Sequence, residues 1–165
     1  MMNESYVEVM VKQETSIVKK LLFWVVRFFC VFSIVLFFLT INLVMLVGAV
    51  VFGVAWYFVR MNVNLEYEYL YVDKELTIDK IMAKAKRKRI TKIGMDRLEV
   101  IAPVGSYHLD NYKDRLNKTP DYSSCKADAK RYMLIYDGLK SIIFEPGEDM
   151  LRMIKNIAPR KVFND

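Results

Sequence analysis

Cysteine and histidine are scarce in this sequence, and their scarcity excludes several classes of protein. The two cysteines, Cys30 in an apolar stretch and Cys125 in a polar one, predict no disulfide framework and fit a reducing compartment. His108, the single histidine, lies near Asp110 without further metal ligands. With Cys125 these two supply the residue types of a thiol nucleophile and its base, but no motif surrounds them. We therefore predict no enzymatic activity, no metal and no cofactor.

Charge is nearly absent from Leu21 to Val59, where Arg27 is the single charged residue. One helix over this run would be about 58 Å long, whereas the hydrocarbon core of a bilayer is about 30 Å thick. The most polar point of the run is Thr40-Ile41-Asn42, which leaves spans at Leu21–Leu39 and Leu43–Val59. The run is also too long for the core of a signal peptide. Residues 21–59 are therefore predicted to form a two-helix transmembrane hairpin.

Aromatic and basic residues predict how this hairpin is oriented. Trp24 begins the first span, and Trp56 and Tyr57 end the second, so a hairpin brings them to one interface. Basic residues flank the same end: Lys19, Lys20, Arg27 and Arg60. By the positive-inside rule both termini are cytoplasmic, and the protein is a two-span protein of the cell membrane. Arg27 is expected to snorkel to the interface; a functional intramembrane charge is the alternative.

The segment before the hairpin, residues 1–20, is predicted to be cytoplasmic. Its apolar residues suggest one face of an amphipathic helix lying at the membrane surface: Val7, Met10, Val11, Ile17 and Val18.

Residues 60–165 predict a soluble, mainly β domain. Tyr67, Tyr69 and Tyr71 alternate with polar residues in a first strand, where we expect them to pack on one face. Asp73-Lys74 predicts a tight turn into a second strand from Leu76 to Met82. A further pair is predicted at about Lys86–Ile93 and Leu98–Ala102, with Gly94 between them.

The second half of this domain begins after a long polar connection, residues 103–128, of the kind that is usually functional or disordered. A short helix is expected at about Leu109–Leu116. Two strands, Arg131–Asp137 and Leu139–Phe144, flank the hairpin signal Asp137-Gly138. A closing amphipathic helix is predicted over Glu148–Ile157.

The fold class predicted is a membrane α-helical hairpin followed by an α+β domain of about six antiparallel strands and a C-terminal helix. This plan resembles pleckstrin-homology-like domains. More narrowly, several stretches resemble a family of short two-span membrane proteins of Gram-positive anaerobic bacteria: Leu65-Glu66-Tyr67-Glu68-Tyr69, Asp79-Lys80-Ile81, Lys86-Arg87-Lys88-Arg89, Ala102-Pro103-Val104-Gly105-Ser106 and Ala158-Pro159-Arg160-Lys161-Val162-Phe163. The resemblance covers most of the chain and implies the fold and the membrane arrangement, but no activity.

The densest functional signal is a basic run of six residues in nine positions: Lys84, Lys86, Arg87, Lys88, Arg89 and Lys92. One interpretation is attraction to the anionic lipid of the inner leaflet. The other is a solvated strand pair whose charges protect a sheet edge. A recognition helix or stacking platform for nucleic acid is absent from the sequence, so no nucleic acid partner is predicted.

The function predicted is that of a non-enzymatic, membrane-anchored binding module that contacts anionic lipid or a protein partner. The sheet edge or the connection at 103–128 would supply the peptide-binding surface. The alternative is a structural or accessory subunit of a larger membrane complex.

Overall fold

The computed structural model describes residues 6–112, 118–138 and 140–164, and these residues form two compact units. The hairpin unit comprises residues 15–65 and 82–86. The β unit comprises residues 6–14, 66–81 and the described residues from 87 onward. Each unit is described by itself below.

Two long helices make up most of the hairpin unit: α1 at Ile17–Thr40 and α2 at Leu43–Val63. Ile41 adopts a left-handed conformation (φ 46°) and donates its N–H to the Phe37 carbonyl, which closes α1. The Asn42 side chain then accepts the Val44 N–H at 2.9 Å and caps α2. The predicted break at residues 40–42 is confirmed. Both helices are long and apolar enough to cross a membrane.

The two helices of the hairpin pack against each other through small and aromatic residues. A Cβ atom built on Gly48 would lie 3.5 Å from Ser33 Oγ, and one on Gly53 would lie 3.9 Å from Cys30 Sγ. Phe29 stacks on the second helix with a centroid separation of 5.5 Å from Phe52.

The β unit contains a four-stranded sheet with the spatial order β1-β2-β3-β4. Its strands are β1 at Val7–Lys12, β2 at Leu65–Val72, β3 at Glu75–Met82 and β4 at Lys86–Gly94. β1 pairs antiparallel with β2, from Val7 opposite Tyr71 to Lys12 opposite Glu66. β2 turns into β3 through Asp73 and Lys74, both at positive φ, as the turn prediction expects.

The finding of β1 corrects the prediction of an amphipathic helix before the hairpin. Val11 is buried and joins the core, with Val7 and Val9 packed against it, while the intervening Met10 is 57% exposed. This two-residue alternation fits a strand, and the edge of β2 supplies the hydrogen-bonding partner. The domain predicted for residues 60–165 thus takes in a strand from before the hairpin, and residues 13–64 are inserted between two neighbouring strands.

A second, three-stranded sheet follows, in the order β5-β6-β7. It comprises β5 at Leu98–Pro103, β6 at Tyr132–Tyr136 and β7 at Lys140–Phe144, and is followed by helix α3 at Gly147–Ile157. Short 3₁₀ helices cover Met95–Arg97 and Tyr107–Tyr112. The helix predicted at about residues 109–116 lies partly outside the described residues. The predicted class, a helical hairpin with antiparallel sheets and a C-terminal helix, is confirmed.

The core of the β unit lies between the two sheets and under α3. Its largest fully buried side chains include Tyr69, Tyr71 and Phe144, joined by Met150 and Ile154 of α3. A smaller cluster covers the other face of the second sheet, where Leu109 of the 3₁₀ helix packs on Met133 and Ile135. Both faces of β6 are therefore buried, as its uninterrupted apolar sequence requires.

Candidate functional site

The basic residues of the hairpin unit gather at one end of its helices. The Thr15 hydroxyl donates to the Val63 carbonyl at 2.5 Å, so the chain enters and leaves the hairpin at the same end. Residues 15–65 and 82–86, all of them described, contain no aspartate or glutamate. They carry six exposed basic residues: Lys19, Lys20, Arg27, Arg60, Lys84 and Lys86. We call this group the basic end of the hairpin.

The turn between β3 and β4 belongs to this end. The Ala83 N–H donates to the Asn64 carbonyl at 2.7 Å, directly after α2. This bond holds the turn that carries Lys84 beside the end of the second membrane helix. The predicted basic run is thereby divided, since Lys84 and Lys86 belong to the hairpin unit and the other four residues to the β unit.

Aromatic rings lie at the same end of the hairpin. The Phe23 ring is 6.1 Å from Trp24 and 6.2 Å from Trp56. The guanidinium groups of Arg27 and Arg60 lie over the Trp24 and Trp56 rings, at 5.2 and 5.7 Å from the ring centroids. The sequence prediction that the tryptophans share one end is confirmed.

Three of the four remaining basic residues are paired with acids of the same sheet. Arg87 Nε lies 2.7 Å from Asp79 Oδ2, and the same guanidinium contacts the Glu68 carboxylate. Arg89 also reaches Asp79, at 3.4 Å. The side chains of Glu68 and Asp79 are only 8% and 7% exposed. These arginines thus neutralise two buried carboxylates. The charge pattern of the sequence did not predict this structural role.

The other two members of the run differ from the arginines. Lys92 Nζ pairs with Glu75 at 2.6 Å, with both side chains about half exposed. Lys88 is exposed and has no acidic group within 4 Å among the described residues. Arg87 and Arg89 share a sheet face, as the predicted alternation requires.

The tyrosines of β2 pack in the core, which confirms the packing interpretation. Tyr69 donates its hydroxyl to the Tyr122 carbonyl at 2.6 Å, and the Tyr67 and Tyr122 rings lie 5.4 Å apart. Burial raises the pKa of Tyr67 to about 12 and also raises the pKa of Tyr69. Both rings are therefore neutral packing groups at physiological pH.

The described parts of the polar connection predicted at residues 103–128 are hydrogen-bonded to the rest of the β unit. Ser124 accepts the Glu14 N–H with its carbonyl at 2.7 Å and donates its own N–H to the Glu145 carboxylate at 3.1 Å. The segment 120–122 runs beside β7, because Tyr122 donates to the Ile143 carbonyl and Ile143 to that of Pro120. These parts of the connection therefore belong to the folded β unit. Residues 113–117 lie outside the described residues.

The residues considered for thiol chemistry make different contacts. The His108 ring stacks on Phe163 with a centroid separation of 3.5 Å. Cys125 is exposed, accepts a hydrogen bond from the Gln13 amide at 3.5 Å and interacts with Ser123. Among the described residues there is no group of three or more histidine, cysteine, aspartate or glutamate side chains that could hold a metal ion.

Two of the clefts on the described part of the β unit combine residues distant in the chain, so the sequence predicted neither. One has a volume of about 610 Å³ beside α3 and mixes both signs of charge, including Lys126, Glu148 and Arg152. The other, which we call the inter-sheet cleft, has a volume of about 460 Å³. None of the described residues that line it is acidic; they are Ile90, Thr91, Lys118, Pro120, Tyr122, Tyr136, Lys140, Ser141 and Ile142.

Comparison with known proteins places this architecture in a family. The family model described as Bacterial PH-like domain (DUF6106) matches residues 3–164, which include both the hairpin and the β unit. The curated proteins and the solved structures contain no match to the chain. PH-like folds are binding modules, so the family supports a binding role without naming what is bound. The chain belongs to the bacterial PH-like domain family DUF6106.

Proposed function

We propose that this protein is a non-enzymatic binding module of the bacterial membrane whose basic end contacts anionic lipid. The observation that carries the proposal is the charge of the hairpin unit, which has six exposed basic residues and no acid, all of the basic residues at one end. Each basic residue near an anionic surface contributes about 1 kcal/mol of attraction.

The proposal refines the predicted lipid patch. Three residues of that patch pair with acids of their own sheet: Arg87, Arg89 and Lys92. Their positive charge is therefore partly neutralised and attracts anionic lipid less strongly. Lys84 and Lys86 lie in the turn that is bonded to the end of α2. We therefore assign the lipid contacts to Lys84 and Lys86 together with Lys19, Lys20 and Arg60.

The orientation follows the same charges. With the basic end on the cytoplasmic side, both termini and the β unit are cytoplasmic. The uncharged turn at residues 40–42 then lies on the other side of the membrane.

The test uses the full-length chain in nanodiscs of zwitterionic lipid, with and without about 30% phosphatidylglycerol. Hydrogen–deuterium exchange of residues 82–86 is expected to slow with the anionic lipid, because the turn then rests against head groups. High salt should abolish the difference, as should the double variant Lys84→Gln/Lys86→Gln. The matched control is Lys126→Gln/Lys155→Gln, which removes two exposed lysines of the β unit and should change nothing.

Equal exchange in both lipids would overturn the lipid contact. If exchange instead slows only when other membrane proteins are present, the accessory-subunit alternative is favoured.

A further inference from the structure

The β unit covers most of its sheet edges with its own chain. At β5, Ile101 exchanges backbone hydrogen bonds with the C-terminal segment 161–163. At β7, the segment 120–122 pairs beside Ile143. α3 packs beside β1. β4 is the last strand of its sheet, and no strand of the described chain pairs with its outer side. We call residues 87–92 of β4 the open edge.

An open edge presents unpaired backbone N–H and C=O groups that an extended segment can bind. Charged residues can also protect such an edge. Here, however, three of its basic residues form ion pairs with acids of their own sheet, so their charges repel an incoming strand only weakly. Lys88 carries the charge that is not paired in this way.

The inter-sheet cleft adjoins this edge, because Ile90 and Thr91 of β4 form part of its wall. Ile142 and the Tyr122 ring supply further apolar surface. Lys118 and Lys140 add positive charge, and none of the described residues that line the cleft is acidic. A side chain that enters here meets apolar walls, and a carboxylate beside it meets lysines.

We propose that the open edge and the inter-sheet cleft bind an extended acidic segment of a partner protein. The segment adds a strand to β4, inserts an apolar side chain into the cleft and sets carboxylates near Lys88 and Lys118. This inference rests on the proposed binding role of the β unit but not on the lipid contact.

The probe is a fluorescent nine-residue peptide, the length of β4, that alternates glutamate with isoleucine. Its binding to the full-length chain in zwitterionic nanodiscs is followed by fluorescence anisotropy. Two further peptides carry N-methyl groups on alternate amides, one in each of the two possible patterns. Because strand amides alternate in direction, one pattern should abolish binding and the other should be tolerated. Simple ionic attraction predicts equal binding of all three peptides.

Two variants of the protein complete the test. Lys88→Glu should weaken binding about tenfold or more, because it sets a like charge against the peptide. Lys155→Glu, an equal charge change at an exposed position of α3, should leave the affinity within about twofold. Circular dichroism checks that both variants are folded.

Absence of binding, or equal binding of the two N-methylated peptides, would overturn the inference and identify the edge as charge-protected. The lipid experiment is independent, since its variants lie in residues 82–86 and its readout contains no peptide. Failure of one proposal can thus be told from failure of the other.

Discussion

At the scale of single residues, Arg87 stands out because one guanidinium serves two buried carboxylates. Glu68 and Asp79 lie on neighbouring strands β2 and β3, and each is more than nine-tenths buried. Two like charges this close repel each other unless a cation lies between them. Arg87 supplies that cation while keeping about half of its own side chain in solvent.

We predict that Arg87→Met lowers the free energy of unfolding by about 1–3 kcal/mol, because it leaves the buried Glu68 carboxylate without its ion-pair partner and Asp79 with Arg89 alone. The measurement is thermal or denaturant unfolding of the full-length protein in detergent, followed through the β unit. Restoring neutrality with Glu68→Gln/Asp79→Asn in the same chain should recover much of the loss.

Lys88→Met is the matched control, since Lys88 neighbours Arg87 and makes no ion pair with described residues. We expect a change within about 0.5 kcal/mol. Equal effects of the two variants would mean that the ion pairs at Arg87 contribute nothing to stability.

At the scale of elements, β1 shows what competes with a helical pattern. Val7 and Val11 are four residues apart and share a helix face, whereas Val7, Val9 and Val11 share a strand face. The two patterns are hard to separate in so short a segment. The edge of β2 decides between them, because the strand pairs there, which buries Val11 opposite Tyr67 and partly buries Val9 opposite Tyr69.

Adjacent residues of β1 offer a direct test. Val11→Asp should destabilise the β unit by about 3 kcal/mol, because it buries a charge in the core. Met10→Asp should have little effect, because Met10 points outward and is 57% exposed. Limited proteolysis and thermal unfolding of the full-length chain would measure both.

The amphipathic-helix interpretation predicts a different outcome. Met10 and Val11 would then both lie on the membrane-facing side, and the two aspartates would be equally harmful. Similar effects of the two variants would therefore argue against β1.

The success of the other predictions follows from local signals. Alternation in β2, the turn at Asp73-Lys74 and the polar break at residues 40–42 depend on neighbours in sequence, and all three are present in the structure. The Arg87 ion pairs, the inter-sheet cleft and the covered edges depend on contacts between distant segments. Such contacts follow from the register of the sheets, which composition and periodicity leave undetermined.

At the scale of the whole molecule, the pairing of β1 with β2 constrains membrane topology. The hairpin separates these strands in the chain, yet they form one ladder. Paired strands of one sheet lie on the same side of a membrane, so the chain between them crosses it an even number of times. Two helices satisfy this condition, and a single long span would violate it.

This argument predicts where cysteines react with a membrane-impermeant maleimide. In a Cys30→Ser background, the exposed native Cys125 should be labelled in inverted membrane vesicles and protected in right-side-out ones. Ile41→Cys, in the turn between the helices and with Cys125→Ser to leave one thiol, should show the reverse pattern. Ile41 is 82% exposed, so the described residues of the protein do not cover it. Labelling of both sites from the same side would mean that the hairpin does not cross the bilayer.

Since the strand ladder fixes both hairpin ends to one side, an inverted result at both sites would keep the fold and overturn only the orientation that the basic end predicts.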